Sequence, residues 1–434
     1  MVGVKLTPEK LRLTCINLSE EISKGDDFLC NKDVTIFNSS IIQLKDSSNL
    51  LIASRGWYGD VRSWSGINFV IISLFSKGLK KLKQNILDID PKAVENKKLK
   101  FKKLEGKVIT HGDSLSVGPE DPRLFYHGKG VYILINELNK KKQRHMFVSK
   151  IDINNLTYGE KIEICKSLST DFEKNWGPFI YKDKLHMIYD INPLKVFEFD
   201  KDFNCKLKMS VKDALLTKFN KSYPDLHFHI RNSTNLIDIE NDKFLGMGHG
   251  VLDYKGNTEI NKYLIPSFDE SKYSKGDKEY FKKFFKLYTG FFYKLDMNKN
   301  EITEISPFFQ LPNYESKQEL IFFPTSIHLD KEKFVNISYN VGDNRSYYLK
   351  LHLDVIDISL YDKENIDFQM NHNINQNYYI ELVRSIRKIL GYPIEKRDYY
   401  RFGDVNRIYA SRKKRLSNRR KRSKKSKKRS KKSK

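Results

Sequence analysis

The chain has 434 residues, of which 39% are hydrophobic and 13% aromatic, and its net charge is +25. This apolar content is sufficient for a sizeable core, while 16 Lys or Arg residues and no acid lie in 411–434, leaving about +9 for the other 410 residues. No apolar stretch is long enough for a signal peptide or a membrane span, so we expect a soluble, intracellular protein with no transmembrane segment.

The four cysteines are Cys15, Cys30, Cys165 and Cys205. None of them forms a CxxC pair or has a histidine at the spacing of a metal ligand. We therefore expect four reduced thiols and no metal site.

Five segments share one layout, in which a polar cluster, a small residue or proline and an apolar run precede a turn and a second apolar strand. They are 37–55, 120–136, 174–190, 231–250 and 323–340. Their turns consist of Asp, Asn, Gly, Ser or Lys, as hairpins require. The repetition predicts an all-β fold, a five-bladed β-propeller. A β-sandwich or a two-domain β protein with similar hairpins is the alternative.

The remaining segments set the domain boundaries. We expect an N-terminal segment over 1–34, the propeller catalytic domain over 35–370 and a C-terminal helical extension over 371–410. Apolar residues at helical spacing predict a short helix over 379–390, and Lys-rich insertions over 76–117 and 255–286 predict loops or helices near the rim. The tail, 411–434, has one leucine as its large apolar residue, so we expect it to be disordered.

In a propeller the five polar clusters converge on one central pocket. Its expected residues, in chain order, are Asn38, Arg55, Glu120, Asp121, Arg123, Lys174, Asn175, Trp176, Tyr189, Arg231, Asn232, Ser233, His249, Thr325, Ser326, Asp343 and Arg345. Cations outnumber carboxylates, and such a cluster is tolerated when an anion such as phosphate lies among the cations. Trp176 and Tyr189 offer flat faces on which a pyranose ring could stack.

This inventory favours sugar transfer that involves phosphate over simple hydrolysis. A hydrolase of the ordinary inverting kind needs two carboxylates, whereas an attacking phosphate needs no protein base. Cations would equally stabilise a departing sugar-nucleotide phosphate. In both cases Asp121 would transfer the proton to or from the sugar oxygen. The co-substrate would be inorganic phosphate or a sugar nucleotide, with no other cofactor.

Each of these residues also has a structural interpretation. Asp121, which precedes a proline, could cap a turn, and His249 could be a satisfied histidine at a turn. Arg123 and Arg345 could form ion pairs with Glu120 and Asp343. Trp176 could belong to the core.

The segment GPEDPRLF, residues 118–125, resembles the EDPR signature of five-bladed propellers related to glycoside hydrolase family 130, the β-mannoside phosphorylases, and of related β-1,2-mannosyltransferases. Further pieces agree in order over 36–354: FNSSII with ASR, EKNWGPF, RNSTN with GHG, and PTSI with SYNVGDNRSY. The resemblance implies that Asp121 is the sole general acid of an inverting enzyme acting on mannose-like sugars.

The resemblance also implies a division of the remaining residues. Lys174, His249 and Arg144 would hold phosphate, together with the cations Arg231 and Arg345 of the inferred pocket. Asn38, Arg55 and Arg123 would contact the sugar, and the inferred pocket adds Glu120, Asn175, Trp176, Tyr189 and Asp343 to its binding site. Ser39 stands where the family has proline, and the EKNW form is closer to bacterial and large-virus relatives. Phosphorolysis and sugar-nucleotide transfer therefore both stay open.

The basic tail predicts salt-sensitive, sequence-independent attraction to polyanions. Three roles of the tail stay open: nuclear targeting, association with nucleic acid or a virion, and attachment to an anionic membrane or polysaccharide. A fourth is a solubilising tail with no partner. For the whole chain, the competing functions are a glycan-binding propeller without turnover and a nucleic-acid-associated protein. The oligomeric state is not predicted.

Overall fold

The computed structural model describes residues 14–60, 65–92, 110–111, 114–140, 143–166, 173–212, 227–253, 286–306, 308–309, 321–358, 360–362 and 374–375. Within these ranges the chain is nearly all β, and two short helices are described in full, α1 (Leu18–Ser23) and α2 (Leu353–Ile358). The predicted helix over 379–390, the basic tail and the insertion 255–285 lie outside the described residues.

The described strands form five antiparallel meanders, and the first two lie in the N-terminal half of the chain. The first meander comprises β2 (Val34–Gln43), β3 (Leu50–Asp60), β4 (Ser65–Phe75) and β5 (Lys81–Leu87). Between the two meanders lie β6 (Thr110–His111) and β7 (Ser114–Val117), which pairs with β4. The second meander comprises β8 (Glu120–His127), β9 (Gly130–Leu138) and β10 (Arg144–Asp152), with β11 (Thr157–Tyr158) and β12 (Ile162–Glu163) both on β10.

In the third and fourth meanders, consecutive strands again pair mainly with their neighbours in the chain. The third comprises β13 (Gly177–Tyr181), β14 (Lys184–Ile191), β15 (Leu194–Phe199) and β16 (Cys205–Ser210). The fourth comprises β17 (His227–Asn232) and β18 (Ile237–Asp238), both paired with β19 (Lys243–Asp253), then β20 (Lys286–Asp296) and β21 (Glu301–Ile305), with β22 (Phe308–Phe309) on β20.

The fifth meander joins the two ends of the described chain. It comprises β23 (Phe322–Leu329), β24 (Phe334–Val341) and β25 (Arg345–His352), and β1 (Thr14–Asn17) pairs with β25 as its fourth strand. The N-terminal segment therefore supplies a strand to the last meander. Two further short strands, β26 (Tyr361–Asp362) and β27 (Ile374–Asn375), pair with β21 and β22.

Polar contacts link the five meanders into a closed ring. In order round the ring they are Leu124 N to Ser40 Oγ (2.9 Å), Asn136 Nδ2 to Glu173 O, Leu236 N to Pro178 O (3.1 Å), Ile327 N to Asn235 Oδ1 (3.1 Å) and Ile41 N to Ser326 Oγ (2.7 Å). The small polar residues of the repeated segments are thus buried because they satisfy backbone groups of the next meander. This explains why Ser40 is fully buried, and Ser39, which is also fully buried, pairs its Oγ with Ser54 Oγ at 2.7 Å.

The core fills the spaces between neighbouring meanders. Strand β9 contributes to two of them, because its side chains alternate between its two faces. Ile133 and Ile135 pack between the first and second meanders, and Leu134 packs between the second and third. The inner hairpin of the second meander is therefore held on both sides.

The structure corrects the expectation of four free thiols. Cys165 follows the second meander and Cys205 opens the outer strand of the third, and the two form a disulfide with their Cα atoms 5.2 Å apart. The sequence carries no signal for this pair, because the residues are 40 positions apart and only the contact of two neighbouring meanders brings them together. Cys30 is a free, exposed thiol.

Candidate active site

A cavity of about 260 Å³ lies where the N-terminal ends of the inner strands meet. Nine of the residues predicted from sequence line it: Asn38, Arg55, Glu120, Asp121, Lys174, Asn175, Arg231, His249 and Asp343. They come from all five meanders or from the segments directly before them. The closed ring of strands thus brings together groups that are up to about 300 residues apart in sequence.

Four lining residues have a left-handed backbone, which points to local strain at this end of the ring. The φ angles are 50° at Asn38, 51° at Asp121, 63° at Asn175 and 50° at Asp343. All four are Asn or Asp, the non-glycine residues that adopt this conformation most readily. At Asn38 and Asp121 the left-handed residue lies within a β-bulge of its strand. Bulges re-aim side chains and are common beside active sites.

Asp121 is held as an ionised carboxylate. Its Oδ1 accepts hydrogen bonds from Asn38 Nδ2 at 2.6 Å and from Arg55 Nη1 at 3.0 Å. Burial alone would raise the pKa of Asp121, but the charges of Arg55 and Arg123 and the bond from Asn38 leave that pKa below its ordinary value. Asn38 Oδ1 is buried and has no hydrogen-bond partner among the described residues.

Arg55 connects the carboxylates of the second meander. Its Nη2 lies 3.2 Å from Glu120 Oε1, and its Nε donates to Asn68 Oδ1 at 2.7 Å. Burial opposes the charge of Arg55, but Glu120 and Asp121 leave the pKa of the guanidinium above its usual value. Arg55 therefore stays charged and fixes both carboxylates at the cavity wall.

Arg144 lies behind the cavity rather than in its lining. Its Nη2 lies 2.9 Å from Glu120 Oε1, and its Nη1 donates to Gly118 O at 3.0 Å. Arg144 is 5% exposed, so the phosphate contact expected from the resemblance is replaced by an ion pair that positions Glu120.

His249 lies on the cationic side of the cavity as a neutral imidazole. It is buried, and its Nδ1 lies 2.6 Å from Ser233 Oγ. Burial first, then the charges of Lys174 and Arg231, hold the pKa of His249 well below its usual value. The ring of Phe323 packs against it, with centroids 4.7 Å apart. The imidazole can therefore offer a hydrogen bond to an anion without adding a further charge.

Arg123, expected to contact the sugar, is a buried clamp across the ring. It is 2% exposed, and its Nε donates to Ser233 O at 3.0 Å. Its Nη1 donates to Pro122 O at 3.2 Å, while Nη2 has no partner among the described residues. Burial lowers the pKa of Arg123 to about 10. The clamp ties the strand that carries Asp121 to the segment that orients His249.

The expected aromatic platform is part of the core. Trp176 is 2% exposed and stacks on Phe197, because its neighbours between the second and third meanders are apolar. Its Nε1 donates to Glu173 Oε2 at 3.1 Å, and Tyr189 Oη donates to Glu173 Oε1 at 3.2 Å. Neither ring lines the cavity, so the structural interpretation of Trp176 is the correct one.

Arg345 is also outside the cavity lining. It is half-buried at the start of β25, where its Cα pairs with Ile36 of the first meander.

Sequence reasoning missed His229, which lines the cavity beside Arg231. A signal was present, because His229 and Arg231 alternate along β17 and residues two apart share one face of a strand. Glu173, the buried carboxylate behind Trp176, was also missed. No pattern in the sequence separates it from the acids of the surface.

A larger cavity of about 930 Å³ lies at the C-terminal ends of the same inner strands. Two of its charged pairs are already formed, Lys77 with Glu332 at 2.8 Å and Lys350 with Asp330 at 2.9 Å. About half of its lining residues are apolar, its cations are Lys45, Lys77, Lys331 and Lys350, and none of the site residues predicted from sequence lines it. The smaller cavity is therefore the candidate active site.

The described part of the chain contains no cluster of three His, Cys, Asp or Glu side chains arranged to hold a metal ion. No described helix has the length and apolar character needed to cross a bilayer.

No protein-family model and no curated protein sequence matches the chain. A solved mannose phosphorylase from Leishmania mexicana, in complex with phosphate, is 12% identical with a TM-score of 0.43, over 79% of this chain and 89% of that one. A β-1,2-mannobiose phosphorylase from Listeria innocua is 11% identical with a TM-score of 0.43, over 76% of this chain and 94% of that one. A GDP-Man-dependent mannosyltransferase from Leishmania mexicana is 12% identical with a TM-score of 0.43, over 81% of this chain and 91% of that one. The proteins that the sequence resembles are thus among the solved structures similar to this chain.

Proposed function

We propose that the five meanders are the blades of a five-bladed β-propeller and that its smaller cavity is an active site for glycosyl transfer. The enzyme would be an inverting glycoside phosphorylase or glycosyltransferase acting on mannose-like sugars. The sugar class rests on the EDPR resemblance, and the reaction type rests on the cavity.

One observation carries the proposal: carboxyl groups and cations share a single small cavity. Asp121 and Asp343 line it together with Lys174, Arg231 and the neutral His249. A sugar needs acceptors for its hydroxyl groups and a proton for the departing oxygen, and a phosphate needs cations and hydrogen-bond donors.

In the proposed reaction, Lys174, Arg231 and His249 hold a phosphate oxygen against the anomeric carbon. The new bond forms as the glycosidic bond breaks on the opposite face, so one displacement inverts the configuration. A carboxyl group of the cavity protonates the departing oxygen, and the resemblance assigns this role to Asp121. Arg55, paired with Asp121, keeps that side chain against the sugar.

Cavity size favours inorganic phosphate over a sugar nucleotide as co-substrate. Its volume of about 260 Å³ is slightly below the range of roughly 300–1,000 Å³ in which drug-sized ligands bind. A monosaccharide with a phosphate is a better match to this space than a nucleotide-linked sugar.

The test is incubation of the full chain with a panel of sugar 1-phosphates and sugar nucleotides, each with and without a mannoside acceptor. Acceptor-dependent release of phosphate supports phosphorolysis, and release of nucleotide supports the transferase alternative. We expect Asp121→Asn to lower the rate by at least about 100-fold, while the exposed control Asp202→Asn leaves it unchanged. Sugar binding without release from any donor would instead identify a glycan-binding propeller.

A further inference from the structure

Glu173 is a buried carboxyl group that takes no part in the proposed reaction. The residue is 4% exposed, and it directly precedes Lys174, which lines the cavity. Burying a carboxylate is costly unless hydrogen bonds satisfy its oxygens. Here Trp176 Nε1 donates to Oε2 at 3.1 Å, and Tyr189 Oη donates to Oε1 at 3.2 Å. Both oxygens are therefore tied to side chains at the beginning of the third meander and within it.

The backbone of Glu173 is tied to the second meander instead. Its N–H donates to Arg144 O at 2.8 Å, and its carbonyl oxygen accepts a hydrogen bond from Asn136 Nδ2. Asn136 itself lines the cavity. Glu173 thus lies where two neighbouring meanders meet, with its main chain held by one and its side chain by the other.

These contacts fix the short turn that carries Lys174 and Asn175 to the cavity. The bond between Glu173 and Trp176 closes the turn, and Trp176 at its end is buried against Phe197. Within the turn, Asn175 has a left-handed backbone with a φ of 63°, a conformation that persists only when its surroundings hold it. Because the lysine side chain is long and flexible and Lys174 is exposed, the reach of its ammonium group depends on where this turn holds its Cα atom.

We infer that Glu173 is a positioning residue that holds Lys174 in place for an anion in the cavity. It acts through the hydrogen bonds that it accepts from Trp176 and Tyr189, and it touches neither phosphate nor sugar. The inference rests on the proposed function, in which Lys174 binds phosphate. Without these bonds the turn should relax, and the ammonium group should spend less time beside the anion. Phosphate binding should then weaken more than sugar binding.

Two substitutions at this position separate the hydrogen bonds from the charge. Glu173→Met keeps the length of the side chain but removes both acceptors, so the KM for inorganic phosphate should rise about 10-fold. The KM for a β-mannoside and the rate at saturating phosphate should stay within about threefold of the wild-type values. Glu173→Gln is the conservative variant, because its amide oxygen can accept from the indole and its amide N–H can donate to the tyrosine hydroxyl. It should restore a phosphate KM within about threefold of the wild-type value.

The matched control is Glu198→Gln. Glu198 is a 7% exposed carboxylate of the same meander, which pairs with Lys184 and Lys206 and does not line the cavity. This variant should leave the KM for phosphate unchanged. If Glu173→Met does not fold, Tyr189→Phe removes one donor and keeps the ring, and the phosphate KM should rise about threefold. A rise in the KM of both substrates together, or a loss in Glu173→Gln as large as that in Glu173→Met, would overturn the inference.

A calorimetric titration with inorganic phosphate gives the same comparison without turnover. Weaker phosphate binding by Glu173→Met, in a protein that transfers no sugar, would refute the proposed reaction and support the positioning role. Equal binding by the wild type and Glu173→Met, with sugar transfer intact, would refute the positioning role alone. A wild type that binds no phosphate would overturn both.

Discussion

Replacing Asp343 with asparagine should change how the stability of the protein depends on pH. The ordinary pKa of 3.8 is raised to about 6 in the folded state. The stability that Asp343 contributes is therefore fully present below about pH 3.8 and is lost as the pH rises through about 6. A shift of about two units corresponds to on the order of 3 kcal/mol, of which about 2 kcal/mol is lost between about pH 4.5 and pH 8.

Asparagine has nearly the same shape as aspartate and no charge to bury. The stability of the variant should therefore not fall over this pH range as that of the wild type does. We expect the free energy of unfolding of Asp343→Asn, relative to that of the wild type, to be about 2 kcal/mol larger at about pH 8 than at about pH 4.5, so that the variant is relatively more stable at the higher pH. Urea unfolding at both pH values measures the difference, and Asp202→Asn, an exposed substitution, serves as the matched control. A difference between variant and wild type that is the same at both pH values would refute the reasoning about Asp343.

The other predictions concern three separate features. Asp121→Asn should lower stability at neutral pH by roughly 1–3 kcal/mol, because it removes one of the two carboxylate partners of buried Arg55. Since the pKa of Asp121 is lowered, the loss should fade as the pH drops below about 4, and urea unfolding that shows no such fading would contradict it. Ser233→Ala should change the ¹⁵N shifts of His249 from those of a single neutral tautomer to those of a mixture, because it removes the partner of Nδ1, and Ser233→Thr should restore the single form; identical spectra for all three proteins would show that Ser233 does not orient the ring. Deleting 411–434 should abolish salt-sensitive binding to a DNA duplex and leave glycosyl transfer intact, whereas retained DNA binding would assign it to the body of the protein.

The repeat was predictable from sequence because each inner hairpin carries its own turn residues and its own buried polar residues. Segments 120–136 and 323–340 contain complete hairpins, so local patterns were sufficient to find them. The strand β1, in contrast, pairs with β25 across almost the whole chain, and no local pattern indicates such a partner. The disulfide between Cys165 and Cys205 was missed for the same reason.

The site was predictable where the side chain type determines its placement. Polar residues at left-handed positions, such as Asn38 and Asp121, face the cavity because the backbone bulge directs them there. Trp176 and Arg123 were misplaced because burial depends on neighbours contributed by other blades, namely Phe197 for the indole and Ser233 for the guanidinium. The different protonation of Asp121 and Asp343 likewise depends on which carboxyl group Arg55 contacts.

The most direct test of glycosyl transfer in this cavity is the anomeric form of the product, followed by proton NMR as the full chain acts on a β-mannoside in phosphate buffer. A single displacement by phosphate predicts α-mannose 1-phosphate as the first product, and its formation should cease in Lys174→Gln combined with Arg231→Gln. The β anomer as first product, or an α product formed equally well by that double variant, would contradict the proposed mechanism.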